Sequence, residues 1–225
     1  MTNLFDSTTL PPEPLPPPGE AARALHLPAR TRSRVAEFDL WADKALDRFR
    51  GNPIADRVMY AATELGDFGL IWHLLGTTRG LRSERHAAEA LRASVILGAE
   101  SVLVNGVIKS FFRRRRPEWE QPRAYRIRKP RSSSFPSGHA SSAFTAAGVL
   151  AQGSPAAAPL WYGVAVIVAT SRAYVRIHHA SDVVGGMVTG IVLGRVARRL
   201  WPRPVDGNPF SGIPAVARRR NLRRR

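Results

Sequence analysis

The sequence contains no cysteine among its 225 residues. This absence excludes disulfide bonds, a thiolate nucleophile and metal sites that depend on cysteine ligands. Acidic residues are scarce, 17 against 34 lysines and arginines, which leaves a formal net charge of +17. A charge of this sign and size predicts an anionic partner, either a nucleic acid, an anionic lipid surface or a phosphorylated substrate.

One long stretch of the chain lacks charged residues altogether. No Asp, Glu, Lys or Arg occurs in the 40 residues from Ser132 to Ser171, whereas basic residues are concentrated at 113–131 and 195–225. Alternation of uncharged and arginine-rich segments is typical of membrane helices joined by polar loops. The N-terminus has no basic segment followed by an apolar core, so we expect no secretory signal.

The hydrophobic pattern predicts helices, without internal repeats or clear strands. Residues 34–50 form an amphipathic segment that is too charged to span a bilayer comfortably. The strongest candidate span is 157–176, and the remaining helical segments are 57–76, 88–112, 138–152 and 182–200. We therefore expect an all-α fold, a membrane-embedded bundle of about five to six helices.

Three regions are expected along the chain. Residues 1–30 are rich in proline and predict a disordered leader. Residues 31–202 contain the helical domain, and residues 203–225 form a basic tail that ends in RRRNLRRR. Small residues between 185 and 194 would allow close approach of helices in lipid.

Polar residues inside the apolar segments need partners. The carboxylates of Glu64, Asp67 and Glu100 are such residues, and we expect each to form an ion pair with an arginine of the bundle rather than to act in catalysis. Asn105 lies one helical turn before Lys109 and is expected to form a hydrogen bond within the bundle.

Two basic residues mark the end of the segment 88–112. Lys109 and Arg116 are seven residues apart, and Pro117 follows Arg116. A helix returns to the same face after seven residues, so both side chains could bind one anion. The alternative is a basic helix C-terminus, where cations are favoured by the helix dipole.

A second candidate block reads SFPSGHASS, residues 134–142. The free amides at a helix start bind phosphate, and Gly138 allows close approach to them. Ser137 adds a hydroxyl donor, and His139 lies in the first helical turn. The alternative is an N-cap serine beside an incidental histidine.

The third block, SRAYVRIHHASD, contains two adjacent histidines. Arg172 can bind phosphate oxygens with its planar fork. Asp182 can fix the tautomer of a histidine one helical turn earlier, which leaves the other ring nitrogen free to attack. His178 and His179 both satisfy this local spacing, so spacing within the block does not choose between them.

The three blocks together resemble the signature of the type-2 phosphatidic acid phosphatase family, which shares its fold with vanadium haloperoxidases and bacterial acid phosphatases. Every signature position is filled in order: Lys109, six residues, Arg116-Pro117; Pro136-Ser137-Gly138-His139; and Ser171-Arg172, five residues, His178, three residues, Asp182. The resemblance is close over 109–182 and selects His178, rather than His179, as the nucleophile.

The resemblance implies hydrolysis of a phosphomonoester or pyrophosphate through a phosphohistidine. His178 would attack phosphorus, Asp182 would orient His178, and His139 would serve as general acid and then as general base. The phosphate would be bound by Lys109, Arg116, Ser137, the Gly138 amide and Arg172. No metal ion or other cofactor is expected.

The blocks fall at helix ends that share one side of the bundle, so the active site is expected at one membrane face. Isoprenyl phosphates, phosphatidic acid and phosphatidylglycerol phosphate all fit as substrates, and the oligomeric state stays open. Arginines at 79–92 and in the tail favour a cytoplasmic location for the opposite end, with the active site extracytoplasmic. The loop 113–131 is equally basic and is interpreted as solvated against anionic headgroups.

Two rival functions differ in what they require of the fold. A soluble acid phosphatase or vanadate-dependent peroxidase would use the same residues, but the uncharged run of 40 residues argues against a soluble protein. An arginine-rich nucleic-acid-binding protein would explain the charge. It would not explain three ordered blocks, so no nucleic acid partner is expected.

Overall fold

A computed structural model describes residues 28–118, 125, 127, 130 and 132–213 of the protein. This part of the chain contains helices and no strand, which confirms the expected all-α bundle. The α-helices are α1 Ala29–Asp47, α2 Pro53–Leu65, α3 Leu70–Gly80, α4 Glu84–Val102, α5 Gly138–Gly153, α6 Ala158–Tyr174 and α7 Ala180–Leu200.

The segment predicted as one helix over 57–76 is two helices. A short 3₁₀ turn, Asp67–Gly69, separates α2 from α3. Phe68 and Gly69 both have left-handed backbone conformations, with φ of 53° and 70°, and such residues end a right-handed helix. The prediction of a continuous helix was wrong because Gly66, Asp67 and Gly69 interrupt the apolar pattern at this turn.

Helix α4 does not reach Arg116. A π turn at Leu103–Val107 and a 3₁₀ turn at Ile108–Phe111 extend it, and Phe112 is already extended, with φ −123° and ψ 139°. The expected helical return from Lys109 to Arg116 is therefore wrong. Both side chains reach the same site nevertheless, Arg116 from the extended segment after the helix.

Helix α5 is the centre of the bundle and packs against α4, α6 and α7. Its small residues, among them Ala140, Ala143 and Ala147, are fully buried. Facing them, α7 carries glycines at positions 186, 190 and 194. A Cβ atom on Gly190 would collide with the carbonyl oxygen of Ser141, so these glycines permit the close helix approach expected from the sequence.

Within the part of the chain that the structure describes, two helices are long and apolar enough to cross a membrane, Glu84–Phe111 and Ala180–Leu200. The outer face of α7 is a stripe of exposed valines, Val184, Val188, Val192 and Val196, each about half exposed. Such a surface suits lipid and not water. Helix α6 has 17 residues, about 26 Å, so the segment predicted as the strongest span is not one of the two.

The ends of the chain fall partly outside the described residues. Residues 1–27 of the predicted leader 1–30 and residues 214–225 of the predicted tail 203–225 are not described, so the predicted disorder and basic tail stay predictions. Residues 203–213 pack against the bundle: the ring of Phe210 stacks on Trp201, and Arg203 forms an ion pair with Glu89. Helix α1, Ala29–Asp47, confirms a helix in the segment predicted at 34–50, and it packs on α6 and α7.

Candidate active site

The three sequence blocks meet at one end of the bundle, around a cavity of about 540 Å³. The C-terminal ends of α4 and α6 and the N-terminal ends of α5 and α7 lie at this end. Five candidate residues line the cavity: Lys109, Gly138, His139, Arg172 and His178. Its other walls come from the α2–α3 turn, with Gly66 and Asp67, and from α4, with Ser94, Leu97 and Gly98.

His178 lies in the tight loop between α6 and α7. Its backbone amide donates to the carbonyl of Arg172 at 3.1 Å, and its side chain is nearly fully buried. The guanidinium of Arg116 lies 3.1 Å from the Nε2 atom of His178. Burial lowers the pKa of His178 to about 3, with Arg116 and Arg172 adding to the effect and Asp182 opposing it. The imidazole is therefore neutral, as a nucleophile requires.

Asp182 is completely buried behind His178. Its Oδ2 atom lies 3.6 Å from His178 Nδ1 and accepts hydrogen bonds from the Ser134 hydroxyl and from the His179 amide at 2.8 Å. The Ser134 hydroxyl is itself 3.4 Å from His178 Nδ1. Asp182 thus faces the nitrogen of His178 opposite to the one beside Arg116, with Ser134 between them.

Two of the three expected cations, Lys109 and Arg172, line the cavity, and the third, Arg116, contacts His178 beside it. Lys109 and Arg172 are buried, and Arg172 donates to the Thr63 hydroxyl at 2.6 Å. Arg116 donates to the carbonyls of Ser132 and Ser133, and burial lowers its pKa below the ordinary arginine value. Like charges gathered at one cavity repel each other, so this arrangement favours an anion there.

At the N-terminal end of α5, Gly138 and His139 line the cavity, whereas Ser137 does not. Ser137 is fully buried and caps the helix by accepting from the Ala140 amide at 3.4 Å, as its N-cap interpretation predicted. His139 Nε2 forms a 2.8 Å contact with Asp67 Oδ1 from the α2–α3 turn. A Cβ atom on Gly66 would come within 2.8 Å of the His139 ring.

The expected ion pairs between intramembrane carboxylates and arginines are not what the described residues show. Glu100 is buried and accepts a hydrogen bond from the Ser141 hydroxyl. Asp67 binds His139, and Glu64 is exposed on the surface of α2. Asn105 donates to Ser101 on its own helix at 3.1 Å, which confirms its expected bond.

Sequence reasoning missed two residues that contact Asp182. Arg114 was interpreted as part of a solvated loop, yet it is buried and forms ion pairs with Asp39 and Asp182. Its neighbours Arg113 and Arg115 are exposed, as expected, whereas Arg123, Arg126, Arg128, Lys129 and Arg131 lie outside the described residues. Ser134, whose hydroxyl donates to Asp182, is the second residue that sequence reasoning missed. No signal in the basic run distinguishes Arg114, because its partner Asp39 is 75 residues away.

His179 does not line the cavity and contacts Asp182 through its backbone. In the described ranges, no group of three or more histidines and carboxylates is placed to hold a metal ion. The candidate site is thus a neutral imidazole, a carboxylate and a second histidine, beside three cations. These groups can bind a phosphate and attack it.

Comparison with known proteins agrees with this geometry. A crystal structure titled as the first transmembrane PAP2 type phosphatidylglycerolphosphate phosphatase from Bacillus subtilis is similar, with a TM-score of 0.58 and 26% sequence identity over 80% of this chain and 89% of that chain. The family model described as PAP2 superfamily matches residues 89–205, which contain every candidate site residue. Because this match covers more than half of the chain, the protein belongs to the PAP2 superfamily.

Proposed function

We propose that the protein is a membrane phosphatase that hydrolyses a lipid phosphate through a phosphohistidine on His178, without a metal ion. The observation that carries this proposal is the cavity that joins the phosphate-binding cations to the apolar surface of α4. Its lining includes the cations Lys109 and Arg172 and the apolar residues Leu97 and Val102 of α4. Val102 is 72% exposed on a candidate membrane span. A headgroup phosphate can enter while its hydrocarbon chain stays in the bilayer.

The first chemical step is attack by the neutral His178 ring on phosphorus. Nε2 is the nitrogen that faces Arg116, so its lone pair forms the bond to phosphorus while the bond to the leaving oxygen breaks. Asp182, on the other side of the ring, supports the positive charge that develops on the imidazole. Lys109, Arg116 and Arg172 stabilise the non-bridging oxygens, which is the main contribution of protein groups in phosphoryl transfer.

The second step returns the enzyme to its starting state. His139 gives a proton to the leaving oxygen in the first step and takes one from water in the second, when water attacks phosphorus and the phosphorus–nitrogen bond breaks. Burial lowers the pKa of His139 to about 4, with Arg172 and Lys109 adding to the effect, and the contact of Nε2 with Asp67 opposes this lowering and holds the ring in place. Phosphate and a free lipid alcohol, or a lipid monophosphate from a pyrophosphate, are the products.

The substrate class follows from the cavity and from the similar protein. The Bacillus subtilis structure carries the name of a phosphatidylglycerolphosphate phosphatase, which makes phosphatidylglycerol phosphate the first substrate to test here. Phosphatidic acid and isoprenyl phosphates or pyrophosphates present the same terminal phosphate on an apolar chain.

The test is phosphate release by detergent-purified protein from a panel of these lipids, with EDTA present. We expect release by the wild type and its loss, by at least about 1,000-fold, in His178→Ala, since removal of a nucleophile leaves only binding and charge stabilisation. His179→Ala is the matched control and should retain activity. Release that requires added magnesium, or that survives in His178→Ala, would contradict the mechanism.

A further inference from the structure

Arg114 joins two carboxylates that lie far apart in the sequence. Its Nη1 atom donates to Asp182 and, at 2.8 Å, to the Ser181 hydroxyl. Its Nη2 atom donates to Asp39 of α1 at 2.6 Å. The Arg114 side chain is 1% exposed, so both ion pairs are shielded from water and from salt. The planar fork of arginine is what allows one side chain to hold two carboxylates at once.

This contact determines the orientation of the Asp182 carboxylate. Arg114 holds Oδ1, while Oδ2 is held by the Ser134 hydroxyl and the His179 amide. With both oxygens bound, the carboxylate cannot rotate away from His178 Nδ1. Loss of Arg114 would leave Oδ1 buried without its cation, and a buried carboxylate in that position is free to turn or to take up a proton.

Helix α1 supplies the other half of the arrangement. Asp39 accepts from the amide and the hydroxyl of Ser181 at 2.8 and 2.9 Å, which fixes the first turn of α7. Asp43 and Asp47 follow at intervals of four residues on the same helix face, and both bind Arg176. Arg176 lies inside the loop that carries His178 and has a left-handed backbone, with φ of 52°, a conformation that is unfavourable in a residue other than glycine.

We propose that Arg114 and Asp39 are positioning residues, which orient Asp182 against His178. Helix α1, which carries Asp39, thereby contributes to the active site. The inference rests on the proposed function, because it concerns how Asp182 supports His178. Helix α1 lies outside the residues that match the family model, 89–205. Arg114 lies within the first sequence block but is not one of the signature positions that carry the family resemblance.

The test compares Arg114→Met, Arg114→Lys and Asp39→Asn with wild type on a water-soluble phosphate ester. We expect kcat to fall about 10-fold or more in Arg114→Met, the range for residues that orient a functional group, with KM changed less than about twofold. Arg114→Lys keeps the charge but can hold only one carboxylate, so it should recover part of the loss. Asp39→Asn should lower kcat when it is the only substitution. It should lower kcat by a smaller factor when it is combined with Arg114→Met.

Glu89→Gln is the matched control. It removes the ion pair with Arg203, a partly buried pair at the other end of α4, and should lower thermal stability without changing kcat. A purely structural role for Arg114 predicts that Arg114→Met behaves like Glu89→Gln, with lower stability and unchanged kcat per folded molecule. That result would overturn the inference while leaving the phosphatase proposal intact.

Amide hydrogen exchange provides a readout that needs no activity. We expect the His179 and Ser181 amides, which donate to Asp182 and Asp39, to exchange faster in Arg114→Met than in wild type and not in Glu89→Gln. Unchanged exchange at both amides in Arg114→Met would also overturn the inference. An inactive wild-type protein would contradict the proposed function first, and the exchange experiment would still decide whether Arg114 holds this segment.

Discussion

His178 shows how a single residue is prepared by its surroundings. Burial lowers its pKa to about 3 from an ordinary value of 6.5, so its ring stays neutral across the physiological range. Because the unfolded chain takes up a proton near pH 6.5 and the folded one does not, His178 favours unfolding as the pH falls from 6.5 toward 3. The feature that makes the ring a nucleophile therefore costs stability in acid.

The lowered pKa predicts that the His178 ring takes up no proton between pH 8 and pH 5. In an NMR titration of the detergent-solubilised protein, the His178 ring resonance, assigned by its absence in His178→Ala, should keep its neutral position from pH 8 to pH 5. Thermal stability should decline less steeply between pH 6.5 and pH 4 in His178→Ala than in wild type, because the variant lacks this proton uptake. A titration midpoint near pH 6.5 would show that the ring is not shielded as described.

At the scale of single residues, the sequence predicts which residues form the site better than it predicts the contacts that those residues make. His139, Arg172 and His178 line one cavity, as three ordered blocks indicated. Ser137 could be assigned a cap or a phosphate contact, and only its burial and its bond to the Ala140 amide show that it caps the helix. Arg114 could not be selected from a run of four arginines, since its burial depends on a helix folded against it from elsewhere in the chain.

The packing of some helices can be predicted from their sequences, and that of others cannot. The glycine stripe of α7 is visible in the sequence, and its partner α5 follows from the small residues that face it. The break between α2 and α3 falls at Gly66-Asp67-Phe68-Gly69, where glycine and aspartate mark a turn, although the segments on both sides are apolar. A left-handed conformation at Phe68 or Arg176 reflects contacts made by the folded bundle and not any local preference for such a conformation.

Replacement of one α7 glycine tests the packing of α5 on α7. A Cβ atom in Gly190→Ala would meet the Ser141 carbonyl, and the helices must separate or strain to admit it. We expect a loss of about 2 kcal/mol from overpacking, partly offset by the better helix propensity of alanine, and a fall of about 4 °C in the midpoint of thermal denaturation in detergent.

Gly163→Ala on α6 is the control for that change. A Cβ atom there meets no atom within 4 Å, so only the propensity gain remains and the midpoint should stay unchanged or rise. Equal midpoints for Gly190→Ala and Gly163→Ala would mean that α5 and α7 are not in close contact. The two variants together separate the effect of close α5–α7 packing on the midpoint from the general effect of adding a methyl group to a helical glycine.

At the scale of the whole molecule, the distribution of exposed charge bears on orientation. At the end away from the site, the exposed arginines include Arg82, Arg85, Arg195 and Arg199. At the site end, Arg114 and Arg116 are bound to protein groups, and among the described residues of the basic run 113–116 only Arg113 and Arg115 are exposed. The part of this loop that is described thus contributes less free positive charge than its sequence suggests, whereas α1 and its C-cap residue add exposed basic residues at this end, among them Lys44 and Arg48.

Orientation can be measured by labelling, because the protein has no cysteine of its own. Phe68 beside the cavity is 82% exposed, and Leu81 at the far end of α3 is 85% exposed. By the positive-inside rule, a membrane-impermeant maleimide should label Phe68→Cys in intact cells and Leu81→Cys only after permeabilisation. Activity of both variants on a soluble ester is the control for folding. The reverse labelling pattern would place the candidate active site in the cytoplasm, so that its lipid phosphate would have to come from the inner leaflet.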